Sequence, residues 1–150
     1  MSFMTLGGAA AARQAGPMTT EQNAPAFEWS TVRDAPVREL FPGIRLRPLW
    51  NGANGAKAYV LEMDANTRWQ GVDVHEPGPE EVFVVSGTFN DGDRDYPAGS
   101  FIHAPAGSSH VPRTTTGCAL FLFHPEGQGP VYGGPPRDSP GRALRLRRTG

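Results

Sequence analysis

Short runs of β-forming residues, separated by turn residues, constrain the fold of this chain more than any other feature. The runs IRLRPLW, KAYVLEMD, EEVFVVSG, SFIHAP and CALFLFH are rich in β-branched and aromatic residues or alternate between apolar and polar. Turn signals separate them, as at residues 51–56, where two Asn-Gly pairs favour a hairpin. The chain holds 19 glycines and 15 prolines, which argues against long helices. The pattern predicts an all-β fold of short strands, arranged as a sandwich or a small antiparallel β-barrel.

Length and charge narrow the classes of function. The 150 residues are enough for one domain with a real hydrophobic core. We expect a flexible leader over residues 1–25, a barrel over 26–125 and a Pro/Gly/Arg-rich tail over 126–150. Within the barrel, residues 27–40 fit either a short helical turn or an edge strand. A formal net charge of −1 favours neither nucleic acid nor membrane as a partner, and no apolar run approaches ~18 residues.

Cysteine usage bears on the compartment and on the kind of metal site. The single cysteine, Cys118, rules out an intrachain disulfide and a cysteine-rich zinc site. It suits a reducing compartment, so we expect a cytoplasmic protein.

Two histidines and two carboxylates form the candidate site. Asp73 and His75 are two residues apart, so in an extended strand they point to the same face. Glu80 opens the next strand after a Pro/Gly turn, and His110 comes from a third segment. Imidazole and carboxylate ligands suit a borderline divalent metal, with Fe(II), Mn(II) or Zn(II) favoured over copper.

The spacing of these residues resembles that of the cupin superfamily. DVH, four residues, Glu80, six residues and Gly87 match the first cupin motif, except that Asp73 stands where the family has its first histidine. The second motif is matched by Gly99, Pro105, Gly107 and His110. The likeness covers roughly residues 36–125 and is greatest to the cupin domain of zinc-binding anti-sigma factors and to small iron dioxygenases that cleave diketones. It implies a jelly-roll-like double-stranded β-helix that binds one divalent ion (Fe²⁺, Zn²⁺ or Mn²⁺) through His75, Glu80, His110 and Asp73.

The role of Asp73 stays open at this point. Its carboxylate either replaces an imidazole as a ligand, or is too short and hydrogen-bonds a metal-bound water or ligand, or marks a site of low affinity. Strand alternation favours Glu80 over Glu81 as the inward carboxylate, unless a bulge shifts the register.

Two further histidines are candidates for other roles. His103 is our candidate acid or base, with a half-buried structural histidine as the alternative. His124 shares its strand face with Cys118 and Leu120, so it either looks into the cavity mouth or caps its strand. Tyr96 and Arg113 are candidates for the pocket rim.

Two functions follow from the resemblance. The first is a divalent-metal-dependent enzyme of dioxygenase type that acts on a small organic molecule. The second is a stand-alone metal or small-ligand sensor without catalysis, related to the anti-sigma cupin domain. In either case we expect a homodimer that pairs through sheet edges, as is common among cupins.

Overall fold

The computed structural model describes residues 26–127, and over this range it is an all-β protein. The predicted leader and most of the predicted tail lie outside the described residues. The eleven strands are β1 (Arg38–Phe41), β2 (Ile44–Asn51), β3 (Lys57–Met63), β4 (Thr67–Arg68), β5 (Asp73–Val74), β6 (Glu80–Asn90), β7 (Asp95–Pro97), β8 (Phe101–Ala104), β9 (Ser109–His110), β10 (Arg113–Thr114) and β11 (Cys118–His124). Within these residues, no helix has the length and apolar character needed to cross a membrane.

Nine of the strands form one antiparallel sheet that curls around the core. Its order is β1-β2-β3-β11-β6-β10-β4, and β7 and β8 also pair with β6. The predicted hairpin at residues 51–56 is confirmed, because β2 and β3 pair antiparallel on either side of it. The stretch at residues 27–40, left open by the sequence, contains a turn closed by the Ala35 N–H donating to the Thr31 carbonyl at 3.1 Å. It ends in β1, the strand at one end of the sheet.

Strand alternation explains which face of the sheet is buried. In β11, Cys118, Leu120 and Leu122 are buried, whereas Phe121 between them is exposed. β3 places Tyr59, Leu61 and Met63 in the same core. The concave face of the curled sheet therefore holds the hydrophobic core, as period-two patterning requires.

A β-bulge in β6 changes which of its residues face inward. Ala119 of β11 is opposite Ser86 and Leu120 is opposite Val84, so Val85 is an extra residue. One extra residue reverses the alternation that follows it. As a result Val82 and Val84 are buried before the bulge, and Phe89, an odd number of residues later, is also buried.

Two short strands form a second, separate sheet. β5 pairs antiparallel with β9, with Asp73 opposite His110 and Val74 opposite Ser109. The ladder continues beyond β5, because the His75 N–H donates to the Ser108 carbonyl at 3.0 Å. This small sheet joins the segments that carry the two cupin-like motifs.

Candidate metal centre

The pairing of β5 with β9 brings Asp73, His75 and His110 together. One ligand atom from each of the three side chains lies within 4.8 Å of the others. The rings of His75 and His110 are 4.8 Å apart between centroids. His75 is buried, and the other two side chains are partly buried. Two imidazoles and one carboxylate thus converge from two neighbouring strands.

The imidazole of His110 approaches a carboxylate without forming a hydrogen bond to it. His110 Nε2 lies 3.4 Å from Asp73 Oδ2. Even so, over residues 26–127 this buried nitrogen has no partner in hydrogen-bonding geometry. A buried polar atom without a partner is costly. The donor atoms of His110 and Asp73 lie close together but are not aligned for a hydrogen bond. The ligands of a shared cation have this arrangement, so the residues fit a metal ion.

Glu80 and His124 form a buried pair beside the three-residue cluster. His124 Nε2 lies 3.2 Å from Glu80 Oε2, and His75 Nδ1 lies 3.9 Å from Glu80 Oε1. Both side chains are buried. Glu80 thus lies next to His75 but outside the group formed with Asp73, because it enters from β6 and its carboxylate turns towards β11.

His124 is the residue whose position the sequence left undecided. It ends β11 on the face that carries Leu120 and Leu122, and its ring contacts Tyr59 at a centroid distance of 5.7 Å. The alternation of side-chain directions along β11 was the sequence signal that could have placed the His124 ring on the concave face. Only the pairing of β11 with β6, in which Phe123 is opposite Glu81, shows that His124 lies beside Glu80.

Burial sets the protonation of the site. Desolvation lowers the pKa of His75, and it lowers the pKa of His124 to about 4. Both imidazoles are therefore neutral at pH 7, which is the form that binds metals. Desolvation, with a smaller contribution from Asp73, raises the pKa of Glu80 to about 8. In the metal-free protein the Glu80 carboxyl is therefore mostly protonated at neutral pH.

A small apolar cavity adjoins the cluster. Its free volume is about 20 Å³, which is room for about one water molecule. Asp73, Glu80 and His110 are the ionisable residues in its lining, and Leu46, Trp69 and Phe89 are among the apolar ones. The ring of Phe89 packs edge-on against His110 at 5.8 Å between centroids. The site therefore combines a few converging polar groups with water-excluding walls.

A wider cleft reaches His110 from the other side. It has a volume of about 330 Å³, and Arg68, Asp91 and Arg113 line it together with His110. Arg113 is held in place by a hydrogen bond from its Nε to Asn90 Oδ1 at 2.7 Å. Tyr96 donates its hydroxyl to Asp91 at 2.7 Å. His110 thus lies between the inner cavity and the outside.

The structure does not bring His103 to the cluster. His103 lies on β8 opposite Glu81 of β6, and the two side chains meet at 2.8 Å between Nδ1 and Oε1. Its side chain is 54% exposed. By strand alternation Glu80 points to the concave face of the sheet, so Glu81 and the paired His103 point to the convex face. His103 therefore lies on the other face of the sheet from Glu80 and outside the group of Asp73, His75 and His110.

Comparison with known protein families identifies the family to which this chain belongs. The model of the ChrR cupin-like domain matches residues 28–128, which is more than half of the sequence. The chain belongs to the ChrR cupin-like family. No curated protein sequence has a significant match to this cupin.

Solved structures show the same fold at low identity. The complex of SigE with the anti-sigma factor ChrR from Rhodobacter sphaeroides aligns at 24% identity, with a TM-score of 0.54, over 62% of this chain and 50% of that one. The polyketide cyclase RemF of Streptomyces resistomycificus aligns at 20% identity with a TM-score of 0.58, over 70% of this chain and 83% of that one. A candidate acetylacetone dioxygenase of Methylibium petroleiphilum aligns at 17% identity with a TM-score of 0.56, over 66% of this chain and 76% of that one.

These likenesses confirm the expected cupin fold. The aligned part spans only half of the ChrR-containing chain. The neighbours include a regulatory protein and enzymes, and one fold commonly hosts such different functions. The function of this cupin therefore has to be argued from its own side chains.

Proposed function

We propose that this cupin binds one divalent metal ion through Asp73, His75 and His110, with Glu80 completing the site. The observation that supports this is the convergence of the three donor groups within 4.8 Å around a buried His110 nitrogen without a hydrogen-bond partner. Asp73 would then be a metal ligand itself, which is the first of the three roles that the sequence left open. The nitrogen and oxygen ligands favour Fe(II), Mn(II) or Zn(II).

We further propose that the metal centre serves an enzyme of dioxygenase type that acts on a small organic molecule. Two histidines and one carboxylate with open positions form the ligand set of non-haem iron oxygenases. A bound ion would supply Lewis-acid polarisation of a substrate oxygen and redox chemistry with dioxygen. The apolar residues around Phe89 would exclude water from the reacting groups.

Glu80 is the carboxylate that would complete the ligand set. Its carboxyl lines the inner cavity and lies 3.9 Å from His75 Nδ1. In metal-free protein desolvation raises its pKa to about 8, whereas a bound cation would favour the ionised carboxylate that serves as a ligand.

The metal site is tested by elemental analysis of protein purified without added metal. We expect about one divalent ion per chain in the wild type and a loss of at least about tenfold in His75→Ala and in His110→Ala. His103→Ala is the matched control, because it removes an exposed histidine outside the cluster, and it should retain the metal. Equal metal content in His75→Ala and the wild type would remove His75 from the site.

Turnover is tested separately from metal binding. Protein loaded anaerobically with Fe(II) should consume oxygen when mixed with members of a panel of diketones and phenolic ketones. His110→Ala should abolish that uptake, whereas His103→Ala should leave it within about twofold, since His103 lies on the convex face.

One observation favours the second function, a sensor without catalysis. The inner cavity has a free volume of only about 20 Å³, so a diketone would have to reach His110 from the wider cleft. A site of this size suits a metal ion with a single small ligand. Tight Zn(II) binding together with no turnover of any member of the panel would support the sensor over the enzyme.

A further inference from the structure

Two arginines face each other on neighbouring strands of the large sheet. Arg68 of β4 is directly opposite Arg113 of β10, so both side chains point to the same face. Residues paired in this way have Cβ atoms about 4.5–5.5 Å apart, and like charges at these positions destabilise a sheet. Within residues 26–127 neither guanidinium forms a salt bridge. The pair therefore presents two positive charges that no carboxylate of the described part of the chain neutralises.

Neutral acceptors hold the guanidinium of Arg113 in a fixed orientation. Its Nε donates to Asn90 Oδ1 at 2.7 Å, and its Nη2 donates to the Gly92 carbonyl at 2.9 Å. Asn90 is itself fixed, because its amide donates to Asp95 Oδ1 at 2.7 Å. A guanidinium has more N–H donors than these two bonds use, so Arg113 can still donate to a ligand. Orientation in advance lowers the entropy cost of binding one.

The two arginines line a polar cleft between Asn66, Thr88 and Thr115, which we call the outer cleft. Its volume is about 460 Å³, which is within the range of small-molecule sites. Its lining consists of four threonines, two asparagines, one aspartate and the two arginines, with no apolar residue among them. Hydroxyl and amide groups form hydrogen bonds with hydroxyl groups of a ligand. The lining therefore suits a hydroxyl-rich molecule.

The charge balance of the outer cleft favours an anion. Asp95 is the single carboxylate in its lining, against two guanidinium groups. The cleft that reaches His110 is lined by the same two arginines but also by Asp91 and Asp93, so it is less positive. Asp91 is also occupied, because it accepts the Tyr96 hydroxyl at 2.7 Å and two backbone N–H groups of its own turn at 2.9 Å. An oxyanion is therefore best placed on the outer-cleft side of the arginine pair.

We propose that Arg68 and Arg113 together bind the carboxylate or phosphate group of a small, hydroxyl-rich molecule that occupies the outer cleft. The flat fork of a guanidinium donates two parallel N–H groups to such an oxyanion. Neither arginine is a ligand of the proposed metal ion, so this is a second binding site. Because both arginines also line the cleft that reaches His110, the bound molecule would lie beside the metal centre.

Isothermal titration calorimetry of the full chain at low ionic strength tests the site with three probes. Gluconate and glucose 6-phosphate share a six-carbon, hydroxyl-rich skeleton and differ in their oxyanion, and glucose is the neutral analogue. At least one of the two anions should bind, and glucose should bind at least about tenfold more weakly. The tighter of the two anions shows whether the arginines prefer a carboxylate or a phosphate.

Arg68→Gln is the more informative substitution, because replacing Arg113 would also release its contacts with Asn90 and Gly92. It should weaken binding of the anion by at least about tenfold. Arg68→Lys keeps the charge but loses the fork, so its affinity should lie between those of the wild type and Arg68→Gln. The matched control is Arg38→Gln, which removes the same charge from an exposed position on β1 and should bind as the wild type does.

Circular dichroism and metal content separate this proposal from unfolding and from failure of the metal site. Arg68→Gln should keep the wild-type spectrum and the wild-type metal content while it loses the anion. The proposal is overturned if neither anion binds to the wild type, or if Arg68→Gln binds as tightly as the wild type. It is also overturned if Arg38→Gln loses as much affinity, because net charge alone would then explain the binding.

Discussion

At the scale of single residues, burial does most to set the chemistry of the site. Glu80 and His124 are both removed from water, and each is driven towards its neutral form. A protonated carboxyl beside a neutral imidazole avoids the cost of two buried charges. A cation bound nearby would reverse this preference for Glu80 and favour its ionised form.

The two shifted groups predict the pH dependence of stability in metal-free protein. In the folded chain Glu80 keeps its proton up to about pH 8, whereas an unfolded glutamate loses it near 4.5. The folded state thus binds more protons in this window, so stability falls as pH rises through it. For His124 the folded pKa of about 4 lies below the ordinary 6.5, so stability falls as pH drops from 6.5 towards 4.

The Glu80→Gln variant isolates one of these two effects. Above pH 6.5 His124 no longer changes the stability with pH, and of the two groups only Glu80 still does. The wild type should therefore lose stability between pH 6.5 and 8, and the variant should lose much less. Urea midpoints measured in EDTA at several pH values provide the comparison. Parallel curves for the two proteins would show that the Glu80 carboxyl is not held protonated by the fold.

At the scale of strands, β6 organises the molecule through its bulge and its glycine. It pairs with β7, β8, β10 and β11. Gly87 has a φ of 70° and is opposite Cys118. A Cβ at Gly87 would overlap the Gly117 carbonyl oxygen and lie 2.9 Å from the Cα of Cys118. The glycine that ends the first motif is therefore required by the close approach of β6 to β11.

Gly87→Ala should cost far more stability than an alanine at another left-handed glycine. We expect a loss of about 2–5 kcal/mol, because the left-handed backbone penalty adds to the overlap with β11. Gly99→Ala is the control, since Gly99 has a φ of 89° but no atom within 4 Å of the added Cβ, and it should lose only about 1–2 kcal/mol. Denaturant unfolding measures both. Equal losses would mean that the approach of Gly117 is unimportant.

At the scale of the whole molecule, the candidate metal centre links parts of the chain that are far apart in sequence. Asp73 and His75 precede β6, His110 follows the turn after β8, and His124 ends the last strand. A cation held by the first three would tie the β5–β9 sheet together, and the Glu80–His124 pair connects it to the large sheet. Binding should therefore stabilise the folded state as a unit.

Metal removal should lower the melting temperature in a way that depends on the cluster. A ligand present at a hundred times its dissociation constant stabilises the folded state by about 2.7 kcal/mol. For a domain of this size we expect a rise of roughly 10 °C over the EDTA-treated protein. His110→Ala should show almost none of this rise, whereas His103→Ala should show all of it. The same rise in both variants would place the binding site elsewhere.

The residues show why the sequence predicted the fold better than the details of the site. Turn signals and alternation are local features of the sequence. The β2–β3 hairpin and the inward residues of β11 could therefore be predicted from the sequence alone. The inward position of Phe89 was not, because it depends on an extra residue in β6 that shows only opposite β11. The placement of His103 on the convex face likewise depends on its register against Glu81.

The sequence by itself determined the all-β class, the turns and the pair Asp73 and His75 on one strand face, because these depend on neighbours along the chain. The tertiary structure decided that Asp73 joins the two histidines, that Glu80 turns to His124 and that His103 lies on the convex face. Those outcomes depend on the register between strands and the curl of the sheet. Alternation says only that two residues share a side; long-range pairing decides which side is the inside.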